Sequence, residues 1–109
     1  MSELNIYFTD DSDLAEYEAE NKGYRTDVFV KVGHNLYSVK IYTMIRLQQD
    51  FESEIESYGF YKSEPNLVLV KESTKDEIID VVKELYEQEY FDALKPTENI
   101  KIDQLIKVY

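Results

Sequence analysis

Asp10, Asp11 and Asp13 set three carboxylates within four positions, a density at which oxygen ligands can gather around a hard divalent cation. Asp11-Ser12-Asp13 starts like a calcium-binding loop, but the pattern then fails. Its fifth position is Ala15, its sixth is Glu16 where the turn needs Gly, and its twelfth is Lys22 in place of a bidentate Glu. The segment instead predicts a solvated loop in which Ser12 or Asp13 caps a short helix at Leu14 to Glu20. His34 is the sole histidine and lies between Gly33 and Asn35, where an exposed turn residue is expected and a general base is not. Carboxylates abound, yet no spacing singles out a pair as the acid and base of a glycosidase. The chain has no Cys, so thiolate catalysis, thiolate zinc sites and disulfides are excluded. It also lacks a Gly-rich phosphate loop and a dinucleotide fingerprint. The expectation is a non-enzyme with no metal and no cofactor.

What remains chemically distinctive is charge. Residues 1–21 hold seven carboxylates and no Lys or Arg, whereas residues 22–49 hold five basic side chains against Asp27 alone. Residues 50–92 return to thirteen acidic against four basic side chains, within a net charge of −11. Such local bias opposes compaction, because like charges repel and surfaces usually intersperse both signs. It points to a basic partner. The same charge argues against nucleic acid and anionic membranes as ligands.

The elements that must position these charges follow from periodicity. At 109 residues, with 43% hydrophobic residues and only three Gly and two Pro, the chain is expected to form one domain over residues 1–109. No signal peptide and no membrane span is read, so the expected location is the cytoplasm. Tyr24, Thr26, Val28, Val30 and Val32 alternate with Arg25, Asp27 and Lys31, Phe29 being the exception, and Tyr37, Val39, Ile41, Thr43 and Ile45 alternate with Ser38, Lys40, Tyr42 and Met44. The two runs, joined by Gly33-His34-Asn35, predict an antiparallel hairpin. Leu47, Phe51, Ile55 and Tyr58 then fall at helical spacing and predict an inward apolar stripe ending at Gly59.

Phe60-Tyr61-Lys62 and Leu67-Val68-Leu69-Val70 around Ser63-Glu64-Pro65-Asn66 predict a second hairpin, with the Leu-Val run as a central strand. Thr74 and Glu77 form a capping box, from which Ile78, Val81, Val82, Leu85 and Tyr86 predict a second amphipathic helix. Residues 3–8 and the Ile100–Ile102 region suggest further strands. The expected class is α+β: an antiparallel sheet of four to six strands with two amphipathic helices on one face. Tyr37 and Tyr58 are expected in the core.

The run Val28-Phe29-Val30-Lys31-Val32, the hairpin, the helix, then Leu67-Val68-Leu69-Val70 followed by Thr74 to Glu89 resembles the small acidic immunity proteins of bacterial polymorphic toxin systems. The resemblance covers about residues 28–92 and rests on element order. It implies a cytoplasmic inhibitor that binds a cognate toxin domain and blocks its active site, and it transfers no binding residue. From the residues themselves, the candidate partner-binding set is Asp10, Asp11, Asp13, Glu16, Tyr17 and Glu18, together with Tyr42, Glu52, Glu54, Glu56 and Tyr61. Carboxylates would steer association, and tyrosines would anchor it. Two other readings use the same charges: a phage-encoded DNA mimic that inhibits a defence nuclease, and a non-inhibitory adaptor. Oligomeric state is not legible.

Overall fold

Residues 24–43 fold into the hairpin that their alternation predicts. In the computed structural model, which describes residues 3–63, 65–98 and 100–109, β2 (Tyr24–Val32) and β3 (Asn35–Thr43) pair antiparallel. Gly33, at φ 62°, allows the tight connection between them. β1 (Leu4–Phe8) pairs antiparallel with the other edge of β2, and β5 (Ile106–Lys107) pairs antiparallel with β1. The sheet order is β4-β3-β2-β1-β5. The fold is thus α+β, a five-stranded and mostly antiparallel sheet with helices packed against it.

The second predicted hairpin is absent. Phe60–Lys62 is not a strand, and β4 (Leu67–Val70) runs parallel to β3 at the sheet edge, not at its centre. The cause is α2 (Met44–Tyr58), whose 15 residues carry the chain back along the sheet, so the next strand sets out in the same direction as β3. Asn66 fixes the start of β4. It adopts φ 60°, which Asn tolerates better than most residues, while its Nδ2 donates to the Ser38 carbonyl at 3.0 Å and its carbonyl accepts from the Lys40 N–H at 3.0 Å. Glu64 of the predicted turn lies outside the described residues. The strand expected to reach Ile45 ends at Thr43, which serves as the N-cap of α2.

The core lies on one sheet face. Ile6, Phe8, Val28, Val30, Tyr37, Val39 and Ile41 pack against Ile78 and Val82 of α3 (Lys75–Glu87) and against Phe91 of a 3-10 turn at Tyr90–Ala93. Each such apolar side chain, fully buried, contributes about 1.5–3 kcal/mol. Thr74 caps α3 as expected, its Oγ1 accepting from the Glu77 N–H at 3.3 Å. Tyr37 is in this core as expected, but Tyr58 is 69% exposed and is not. Among the described residues, no helix is long and apolar enough to cross a membrane.

A third helix, α1 (Asp13–Lys22), replaces the shorter one expected, with Ser12 Oγ accepting from the Ala15 N–H at 3.1 Å. Gly23 ends it at φ 74° and touches the start of α2: a Cβ there would meet Thr43 Oγ1 at 2.6 Å. Thr43 in turn donates to the Gly23 carbonyl through its N–H at 2.8 Å and its hydroxyl at 3.0 Å. The end of α1 and the start of α2 are therefore one joint.

Candidate functional site

Beyond half-buried Leu47, the expected inward stripe of α2 faces outward. The helix buries no residue: Phe51 is 48% exposed, Ile55 39%, and Met44 is exposed with them. The least exposed positions are Arg46, Leu47, Asp50 and Glu54, which at 100° per residue occupy the neighbouring side of the helix. Arg46 explains this rotation. Its guanidinium lies 4.4 Å over the Tyr24 ring, and its Nε lies 3.2 Å from Asp50 Oδ1 as an ion pair. Tyr24 stacks on Tyr42 with ring centroids 5.5 Å apart, on the sheet face opposite Ile41. A cation on an aromatic pair thus pins the Arg46 side of α2 down, and the apolar stripe is left on the flank.

That flank has shape. Met44, Leu47, Gln48, Phe51 and Tyr61 line a notch of about 280 Å³. Phe51 and Tyr61 meet edge to face, with centroids 6.1 Å apart, so one wall of the notch is a fixed aromatic corner. The stripe continues along α2 to Tyr58, and Phe60 beyond Gly59 is also exposed. Asp50 and Glu54 lie along one border of the stripe, and Glu52 and Glu56 along the other. Gln48 Nε2 donates to Glu52 Oε1 at 3.3 Å, which orients that carboxylate along the helix.

The N-terminal carboxylates sit in a different setting. Both Glu16 oxygens accept from the Lys75 N–H, at 3.0 and 3.1 Å, so Glu16 satisfies an orphan donor and meets the positive end of the α3 dipole. Asp11 pairs with Lys75 Nζ at 3.0 Å, and Ser73 Oγ donates to the Ala19 carbonyl at 2.7 Å. Asp10 accepts from the Ser12 N–H at 2.9 Å, which holds its carboxyl below its ordinary pKa of 3.8, and its carbonyl accepts from Arg25 Nη2. Arg25 is buried, stacks 3.8 Å over the Phe8 ring and pairs with Asp27 at 2.8 Å. Burial raises the Asp27 pKa, but hydrogen bonds from Thr9 and Arg25 outweigh it and leave the net shift downward.

The sequence-derived candidates therefore divide. Asp10, Asp11 and Glu16 serve internal contacts. Asp13 and Glu18 remain exposed on α1, Glu18 at 3.9 Å from Lys22, and Tyr17 is 64% exposed. Tyr42 is buried against Tyr24 and is unavailable as a surface anchor, whereas half-buried Tyr61 helps to line the notch. Glu52, Glu54 and Glu56 stand near the far end of α2. They lie nine or more residues beyond Thr43, the residue whose N–H and hydroxyl join α2 to Gly23 at the end of α1. The candidate set read from the sequence thus falls into two settings. Met44, Leu47, Phe51, Ile55 and Phe60 were not among the sequence candidates. The available signal was the Arg46/Asp50 spacing, which places a polar pair where an inward-facing helix would be apolar.

Among the described residues, no group of three or more His, Asp or Glu side chains converges as a metal cage. Comparison with known proteins finds no matching family model, no matching curated protein and no matching solved structure.

Proposed function

We propose that this chain is a cytoplasmic, non-enzymatic inhibitor of the immunity-protein type, which binds a basic protein such as a nuclease toxin domain and occludes its substrate cleft. The observation that carries the proposal is the outward apolar flank of α2, bordered on both sides by carboxylates in a chain of net charge −11. A nuclease needs a basic cleft to hold phosphates, and a negative protein is steered to it and competes with its substrate. Steering sets the association rate. Slow dissociation comes from apolar side chains that become desolvated on contact, which the α2 flank supplies.

The test is capture from the native host with the full chain as bait, followed by assay of the captured protein with and without the bait. The expected result is a basic protein whose activity on nucleic acid is blocked, with an affinity that falls as salt is added. A partner without a basic cleft, or one that is bound but not inhibited, overturns the inhibitor reading in favour of an adaptor. A host defence nuclease as the partner would identify a DNA mimic instead.

A further inference from the structure

We infer that the α2 flank is the docking groove for an amphipathic helix of the partner, whose apolar stripe carries one large anchor side chain and is flanked by Lys or Arg on both sides. This inference rests on the inhibitor reading for the partner's sign of charge, and it adds the form and chemistry of the segment that binds.

Four observations select this occupant. The stripe from Met44 to Tyr58 runs about 21 Å along the helix axis, a length matched by a partner helix of about fourteen residues. A strand added to the free edge of β4 would meet only the 4 residues Leu67–Val70 and would leave that stripe uncovered. The notch, at about 280 Å³, lies just below the range of roughly 300–1,000 Å³ in which small-molecule sites fall. A single Leu or Phe side chain suits it, with the Phe51–Tyr61 corner as its wall. The borders decide the sign. Glu54 on one side and Glu52 and Glu56 on the other attract cations, Asp50 being paired with Arg46, whereas a second copy of α2 would bring the same carboxylates against them. Charge complementarity thus favours a basic helix over self-association.

The probe is a fluorescein-labelled peptide of about sixteen residues, with Leu at i, i+3, i+4 and i+7 spacing and Lys on both flanks, titrated with the full chain by fluorescence anisotropy. Saturable binding is expected, weakened about ten-fold or more by Phe51→Asp and by Tyr58→Asp. Glu52→Lys with Glu56→Lys should weaken it and flatten its salt dependence, while Glu18→Lys on α1 should change it less than about two-fold. Because α2 buries no residue, these variants keep the core, which circular dichroism checks. Undiminished binding to Phe51→Asp overturns the groove. So does a dimer in sedimentation velocity that Phe51→Asp disperses and the peptide does not, since the occupant would then be a second copy.

The two proposals fail separately. Peptide binding that depends on Phe51, with no inhibited partner captured, removes the inhibitor reading and leaves the groove. A captured and inhibited partner that still binds the Phe51→Asp chain removes the groove and leaves the inhibitor reading.

Discussion

α1 and α2 are both acidic and meet at one joint, yet they use their carboxylates in opposite ways. Three carboxylates in and just before α1 turn toward the protein, while Asp13 and Glu18 stay exposed: Glu16 caps α3, Asp11 pairs with Lys75, and Asp10 sits against the buried Arg25. α2 keeps its polar contacts along its own axis, Arg46 to Asp50 and Gln48 to Glu52, and sets its acids beside exposed apolar side chains. The difference lies in the nearby donors. α1 passes the open N-terminus of α3 and a buried guanidinium, and α2 meets neither. A count of negative charge is therefore a poor guide to which carboxylates are available to a partner.

The comparison breaks most readily beneath α1. Asp27→Asn leaves the buried Arg25 without its ion-pair partner and should cost about 3 kcal/mol, read by urea denaturation at neutral pH. The same pair sets a pH dependence. Asp27 titrates lower when folded than its ordinary 3.8, so its contribution is fully present above that value and is lost as pH falls through the lower folded value. Acid unfolding of the wild type below about pH 4 should thus be steeper than that of Asp27→Asn. A change of less than about 0.5 kcal/mol at neutral pH would make this contact incidental.

A smaller effect is expected at the cap itself. Glu16→Ala removes an acceptor from the first N–H of α3 and a charge from its positive end, at a cost of about 1 kcal/mol. Glu16→Gln, which keeps an acceptor oxygen, should lose less. Glu54→Ala on α2 should stay within about 0.5 kcal/mol of wild type. Equal losses at Glu16 and Glu54 would erase the distinction between the helices.

Much of this architecture was legible because it is local. Period-two alternation in residues 24–43 gave the hairpin, and Thr74 with Glu77 gave the start of α3. The position of β4 was not legible, since Leu67-Val68-Leu69-Val70 is apolar on both faces and its parallel pairing depends on where α2 carries the chain. The rotation of α2 was hidden for a related reason. Leu47, Phe51, Ile55 and Tyr58 show that the helix has an apolar side, but only the packing of Arg46 on Tyr24 determines which side meets the sheet. Likewise, nothing near Glu16 in sequence indicates that Lys75 supplies its hydrogen bond, 59 residues away.

The smallest expected effect is the sharpest test of why α2 is acidic. Glu52 and Glu56 lie one turn apart, where like charges oppose the helix, and the last turn of α2 contains no basic residue to meet its negative end. Glu56→Lys converts the repulsion into a Glu-to-Lys pair in the favourable orientation. It should raise stability by about 0.5 kcal/mol, a gain of roughly 2–4 °C in Tm by calorimetry. The same substitution should weaken binding of the basic peptide. A carboxylate whose replacement stabilises the fold and impairs binding is held in place by something other than folding. If Glu56→Lys instead lowers Tm, Glu56 has an internal partner as Glu16 does, and the two helices no longer differ in kind.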